Sequence, residues 1–173
     1  MPNKMLVQEV TTELDRNRKV LVSTLTQIPD ELIHWKNSPN DWSLLEIVCH
    51  LVDEEVQDFR ARVLHTLKNP ELPLVPIDPI AWVTQHDYAG QNFHQKVKEW
   101  EKEREASINI LKENLDSDWQ SRIDHPQRGE ITAYSFLCNW LAHDYHHIRQ
   151  INRIKYNYLK HKSGDSLSYA GNW

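Results

Sequence analysis

Apolar residues recur at helical spacing in four long stretches of the chain. In the first stretch they lie three, four or seven residues apart, at Leu6, Val10, Leu14, Leu21, Leu25 and Ile28. Hardly any stretch alternates apolar and polar residues as a half-buried strand would. The pattern predicts an all-α protein with helices over about residues 5–28, 43–68, 88–115 and 132–160.

The ends of these helices carry local signals. Ser43 precedes the second helix and Glu46 follows three residues later, which predicts a capping box. Pro29 closes the first helix, because proline cannot continue helical hydrogen bonding. In the third helix we expect the charged run at residues 101–105 to lie mostly on the solvated side.

The connection between the second and third helices is rich in proline. Its prolines are Pro70, Pro73, Pro76 and Pro79. Proline at every third position excludes helix over residues 69–84 and favours an extended path. About fifteen extended residues reach about 50 Å, which exceeds the length of the preceding helix, so the second and third helices can run parallel. We therefore predict a four-helix bundle with a long crossover between helices 2 and 3, and a tighter loop at residues 124–129.

Composition narrows the functional classes. The length predicts one domain over residues 1–173. The polar tail at 161–173 ends in Trp173, and we expect this side chain to pack against the domain. The 20 Lys and Arg against 25 Asp and Glu give a net charge of −5, which argues against nucleic-acid binding. No apolar run approaches the roughly 18 residues of a membrane span, and a signal-peptide segment is lacking, so we expect a cytoplasmic protein. Cys49 and Cys138 lack CxxC spacing, so we expect them to be small buried residues rather than to form a disulfide.

The fourth helix carries two histidines in the middle of its apolar face. His143 and His147 are four residues apart, so both rings project from one side of the helix. The chain has ten histidines, so this spacing alone is weak evidence, and the stripe around the pair is the stronger signal. That stripe comprises Ala133, Phe136, Trp140, His143, His147, Ile151, Ile154 and Tyr158. Because a buried imidazole needs a partner, the pair predicts either core histidines bonded to backbone or carboxylate groups, or two ligands of a metal that takes a third from another helix.

His50 in the second helix is the leading candidate for that third ligand, but its own helix leaves the assignment open. The apolar spine of the helix consists of Leu45, Val48, Val52, Phe59 and Val63. His50 points away from this spine, and its sector could be a plain solvated face. Alternatively the sector is the wall of a polar cleft, in which Glu46 or Glu54 would orient the metal ligands.

Three segments of the sequence together resemble the DinB-like (DinB/YfiT) superfamily of metal-binding four-helix proteins. They are WSLLEIVCHL at residues 42–51, His125-Pro126 followed by Gly129, and HDYHHIRQ at residues 143–150. Ala81-Trp82-Val83, Tyr88, Arg104 and Trp119 also occur in the expected order. The resemblance implies a four-helix bundle with a long crossover, and a divalent metal, commonly zinc or nickel, bound by His50, His143 and His147.

Three imidazole ligands would leave a metal with positive charge and an open position, which is typical of catalytic rather than structural zinc. Such a site could activate water for hydrolysis or hold a thiol as thiolate for transfer to an electrophile. The superfamily that the chain resembles includes thiol-dependent S-transferases and isomerases that use mycothiol or bacillithiol. We therefore predict a metal-dependent enzyme that acts on a small molecule, either an S-transferase for a low-molecular-weight thiol or a hydrolase. The alternative is a non-catalytic, stress-associated bundle whose metal or core histidines are structural.

Other side chains are candidates for the surroundings of the metal. They are Glu46, Glu54, Trp140, Asp144 and His125. Asp144 would either line the pocket or pair with Arg149 or another neighbour. His125 could reach the pocket mouth or cap the loop before the fourth helix.

Association is predicted from aromatic residues and from the resemblance. Members of the superfamily are often dimers. Large apolar surface beyond the needs of one core would come from Trp35, Trp100, Trp119 and Trp173. We therefore predict a homodimer.

Overall fold

The computed structural model describes residues 4–125 and 128–171. Its helices are Lys4–Leu25 (α1), Asp30–Ile33 (α2), Leu44–Asp53 (α3), Arg60–Lys68 (α4), Pro79–Gln85 (α5), Phe93–Glu113 (α6) and Ala133–Ser163 (α7). A turn of π-helix, Glu54–Phe59, joins α3 to α4, so residues 44–68 form one continuous helix. Short 3₁₀ turns lie at Tyr88–Gly90 and Ser168–Ala170. Trp173, which we expected to dock, lies outside the described residues.

Four long helices pack into a bundle in the described part of the chain, and this confirms the predicted fold class. The helix over residues 44–68 runs parallel to α6, because Glu55 contacts Arg104 and, further along both helices, Arg60 contacts Ser107. It runs antiparallel to α7, since His50 contacts His147 while Glu55 contacts Trp140. The parallel second and third helices confirm that the connection between them crosses the length of the bundle.

The crossover contains a short helix that the sequence reading excluded. Residues 79–85 are α5, with Pro79 in its first turn and Asp78 as its N-cap, whose side chain accepts a hydrogen bond from the N–H of Ala81. Proline is tolerated at the first helical position because its missing N–H would have no partner there. The exclusion of helix was therefore wrong for residues 79–84.

Three predicted helix boundaries also differ by at least three residues from the observed ones, and one of them is the end of the last helix, which lies at Ser163 rather than residue 160. The first helix ends at Leu25 rather than residue 28, because Gln27 adopts a left-handed conformation with φ of 56°. The third bundle helix begins at Phe93 rather than residue 88, with Asn92 accepting from the N–H of Gln95. At the end of the first helix and at the start of the third, the local backbone conformation sets the boundary, and the apolar spacing does not.

A β-hairpin precedes the last helix, where we predicted a loop. Arg122–His125 (β1) pairs antiparallel with Gly129–Thr132 (β2), and Ile123 faces Ile131. Strands of four residues are too short for alternation to be recognised in the sequence. Thr132 then caps α7 by accepting from the N–H of Ser135.

Burial changes the argument for a dimer. Trp100 and Trp119 are only 1% and 4% exposed, and Trp35 is half-buried with its ring edge-on to Tyr158. These side chains stabilise the fold and do not offer apolar surface to a partner, so the dimer stays a prediction. Over the described residues, no helix has the length and apolarity needed to span a membrane.

Candidate metal centre

Three imidazoles from two antiparallel helices converge on one point. His50 belongs to α3, and His143 and His147 belong to α7. The Nε2 atom of His143 lies 3.3 Å from Nε2 of His50 and 3.0 Å from Nε2 of His147. One ligand nitrogen from each ring lies within 4.8 Å of the others. The structure thus brings together the three histidines that the resemblance selected.

The burial of His50 corrects one of the two interpretations of its helix. Every residue from Leu44 to Val52 is buried, so the sector that holds His50 is not a solvated face. The ring of His50 packs against Trp42, with centroids 4.8 Å apart, and against both histidines of α7. His50 therefore faces an interior cleft, which was the other interpretation.

A neighbouring side chain sets the orientation of the His147 ring, whereas the Nδ1 atom of His50 has no described side chain within hydrogen-bonding distance. Nδ1 of His147 lies 2.8 Å from Oε1 of Gln150. An amide oxygen only accepts, so this Nδ1 carries the proton and Nε2 presents a lone pair. Nδ1 of His50 is buried without a hydrogen-bond partner among the described residues, and the nearest carboxylate oxygen, Oε1 of Glu54, lies 3.9 Å away.

The surroundings keep all three imidazoles neutral. Burial lowers the pKa of His50 to about 4 and that of His147 to about 3. Burial, together with the neighbouring histidines, lowers the pKa of His143 to about 2. Neutral imidazole is the form that binds metals, so the site holds its ligands ready at neutral pH.

The donor set fits a divalent metal ion. Imidazole nitrogens bind zinc at about 2.0–2.1 Å in a tetrahedral arrangement, which places neighbouring nitrogens about 3.3 Å apart. The observed separations of 3.0 and 3.3 Å agree with that value.

Glu54 and Asp58 form a pair of carboxyl groups beside the histidines. Burial, together with a hydrogen bond with Asp58, raises the pKa of Glu54 to about 8. Asp58 in turn pairs with Arg62. At neutral pH Glu54 therefore retains a proton, and it shares that proton with a carboxylate that is held by an arginine.

Two other candidates have different roles from those we considered. Glu46 completes the predicted capping box with Ser43, and its carboxylate also binds Lys36 at 2.8 Å. Asp144 is fully buried and pairs with Arg104 of α6 rather than with Arg149. Periodicity could not predict this pair, because its partner comes from a helix 40 residues away in the chain.

Trp140 and Arg104 belong to the same buried group as Asp144. Trp140 donates its indole N–H to Glu55, and Phe59 stacks on Trp140 with centroids 5.9 Å apart. Arg104 is only 1% exposed, although we expected its charged run to lie mostly on the solvated side. Its position on the apolar stripe of α6, between Trp100 and Ile108, was the available signal.

A cavity of about 790 Å³ opens beside the histidines. His143, His146 and Phe136 of α7 line one side, and His125 of the hairpin lies in its wall. The crossover contributes Leu74, Val75, Pro76, Ile77 and Pro79. The cavity is large enough for a small molecule and reaches the metal centre at His143.

Comparisons with known proteins agree with this geometry. The sequence model of the DinB superfamily matches residues 13–151. A protein from Oceanobacillus iheyensis that is described as a candidate metal-dependent hydrolase is 19% identical over 151 residues, which cover 87% of this chain and 86% of that protein. The solved structure of YfiT from Bacillus subtilis, described as a candidate metal-dependent hydrolase with an unusual four-helix bundle topology, superimposes with a TM-score of 0.79 at 18% identity, over 96% of this chain and 92% of YfiT. At that identity the likeness to YfiT establishes the fold.

Proposed function

The chain belongs to the DinB superfamily, and on this premise we propose that it is a metal-dependent hydrolase. His50, His143 and His147 would hold the ion, either zinc or nickel, because a nitrogen-only donor set suits both. The observation that carries the proposal is the convergence of the three Nε2 atoms within the cleft. The metal-dependent hydrolase descriptions of two relatives support the same reaction class.

A divalent ion held by three imidazoles with an open position lowers the pKa of a coordinated water towards neutrality and polarises a carbonyl or phosphoryl oxygen. The other contributions come from this chain. Gln150 fixes the tautomer of His147, and a carboxyl oxygen of Glu54 lies 3.9 Å from Nδ1 of His50. Phe59, with its ring 5.0 Å from that of His143, and Trp42, beside His50, limit the access of bulk water.

Glu54 is also placed to handle a proton. Its raised pKa, caused by burial and by Asp58, suits a group that gives up or takes a proton near neutral pH. The substrate would be a small molecule in the adjoining cavity, with apolar parts against the crossover and the reacting bond at His143. The lining includes Arg128, whose charge suits a substrate with an anionic group, whereas Arg62 is already paired with Asp58.

The test begins with metal content. The protein without a histidine tag is loaded with zinc or nickel and dialysed, and we expect about one ion per chain by elemental analysis and none in the His147→Ala variant. His94→Ala, which removes an exposed histidine of α6, is the matched control and should retain the ion. Wild-type protein without bound metal would contradict the proposal.

Activity then separates the classes of reaction. We expect the loaded protein to hydrolyse members of a panel of small esters, amides and phosphoesters, and His147→Ala to abolish that turnover. Turnover only with an electrophile and a low-molecular-weight thiol would indicate an S-transferase. A metal that raises the melting temperature without any turnover would indicate the non-catalytic alternative.

A further inference from the structure

A network of buried charged side chains joins α6 to the two helices that carry the histidines. Arg104 donates to the two oxygens of Asp144 at 2.6 and 2.8 Å. Its Nε lies 2.9 Å from each oxygen of Glu55. None of the three side chains is more than 1% exposed. Trp140 adds a hydrogen bond of 3.0 Å to Glu55, so the network joins the second bundle helix, α6 and α7.

Stability alone does not account for this network. One arginine and two carboxylates leave one negative charge uncompensated among themselves, and removing charges from water is costly. Although burial opposes it, the two carboxylates raise the pKa of Arg104, so the guanidinium stays charged. Buried ion pairs of this kind can often be replaced by apolar residues of similar volume without loss of stability. The best-attested use of buried charges is to select one register between packed elements.

Apart from Arg104, which α6 contributes, the members of the network are close in sequence to a metal-site histidine. Asp144 directly follows His143, and Trp140 precedes it by three residues. Glu55 follows His50 by five residues and lies in the π-helical turn, where both Glu54 and Glu55 are buried. Glu54 therefore faces the histidines while its neighbour faces Arg104.

The hydrogen bonds of the network can form only when its three helices are aligned in one way along their axes. A slip of one residue along a helix moves its side chains by about 1.5 Å, which is enough to break the paired hydrogen bonds between Arg104 and Asp144. The same slip would displace Nε2 of His50 from Nε2 of His143, which lies 3.3 Å away across the two helices. The network and the cluster of histidines thus require the same alignment of the helix over residues 44–68 against α7.

We propose that Glu55, Arg104 and Asp144 are positioning residues, which hold the second bundle helix against α7 so that His50 meets His143 and His147. The proposal rests on the metal-binding function proposed above. Replacing a residue that hydrogen-bonds to a metal ligand typically changes metal affinity by about 10- to 100-fold, and the network would act on the ligands through the helices that carry them. We expect an effect of that size here, although none of the three carboxylate or guanidinium groups lies in the cluster of ligand nitrogens.

The decisive variant replaces the network by apolar residues, as Glu55→Leu with Arg104→Met and Asp144→Leu. Its metal-free form should resist urea as well as the wild type or better, while its zinc dissociation constant, measured by competition with a chelating dye, rises about 10- to 100-fold. Val7→Ala, which truncates a fully buried side chain of α1, is the control that should lose stability and keep its zinc affinity. An unchanged dissociation constant in the triple variant would overturn the proposal.

A conservative variant covers the case in which the triple variant does not fold. Arg104→Lys keeps the charge but cannot bind both carboxylates in paired fashion, and we expect it to weaken zinc binding while the helical circular dichroism stays. Unchanged zinc affinity in Arg104→Lys would also overturn the proposal.

Crystal structures of the metal-free wild type and of whichever variant folds give a readout that does not depend on metal binding. The Nε2 atoms of the three histidines should move apart in the variant and stay together in the wild type. Wild-type protein that binds no zinc would defeat the proposed function, and the Nε2 separations would still decide the positioning role. Unchanged separations would overturn it.

Discussion

Nδ1 of His147 and Oε1 of Gln150 lie 2.8 Å apart on the same face of α7. The amide fixes both the tautomer and the rotation of a ring that presents Nε2 to the metal centre. Because the two residues belong to one helix, the contact forms as soon as α7 forms. The ring is thus oriented before any ion is bound, which lowers the entropy cost of binding.

The first prediction concerns this contact. Gln150→Leu keeps the size of the side chain and removes the acceptor, so we expect a zinc dissociation constant about tenfold higher. Isothermal titration or dye competition measures the change. Arg153→Ala, at an exposed position of the same helix, should leave the affinity unaltered, and an equal effect in both variants would refute the orienting role of Gln150.

The second prediction is the stabilisation of the fold by the ion. Because the ligands come together only in the folded chain, zinc at about one hundred times its dissociation constant should add about 2.7 kcal/mol to the free energy of unfolding. Urea titrations with zinc and with EDTA measure the difference. His143→Ala should abolish it, and the His94→Ala control should retain it.

The third prediction is a loss of stability of the metal-free protein in acid. Burial keeps the folded-state pKa values of His50 and His147 at about 4 and about 3, below the unfolded value of about 6.5. Below pH 6.5 these histidines are therefore protonated in the unfolded chain but not in the folded chain. The free energy of unfolding then decreases as the pH falls towards the folded-state pKa values. Urea titrations between pH 7.5 and 5 measure the slope, which His147→Leu should reduce; an equal slope in that variant would contradict the assignment.

The fourth prediction separates the two cysteines by reactivity. Burial raises the pKa of the Cys49 thiol to about 12, while Cys138 is only half-buried. Because the thiolate is the reactive form, iodoacetamide at pH 8 should modify Cys138 well before Cys49, as measured by peptide mass spectrometry. Both should react in urea, and rapid labelling of Cys49 in the folded protein would contradict its burial.

Local pattern predicted those parts of the protein that one helix determines by itself. The stripe on α7 placed His143 and His147 on the buried face, and Ser43 with Glu46 marked the start of α3. The burial of His50 could not be predicted from local pattern. Because α3 is buried on all sides, the apolar spine of the helix does not show which of its residues are exposed to solvent. The resemblance, and not the periodicity, selected that residue.

The burial of two charged residues is the second feature that local sequence pattern does not predict. Arg104 falls on the apolar spacing of its helix but within a charged run that we expected mostly in solvent, and the role of Asp144 was left open, yet both are fully buried. Each can be buried only because the other supplies its partner from a different helix. Such pairs depend on tertiary packing, so they cannot be read from either helix alone.

The crossover is more than a connection that lets two helices run parallel. Its residues 74–79 form one wall of the cavity, whereas the ligand histidines lie on the bundle helices. Part of the cavity wall is therefore encoded in a stretch of the gene that holds none of the three histidines. Substitutions in the proline-rich stretch would reshape that wall without replacing any of the proposed metal ligands.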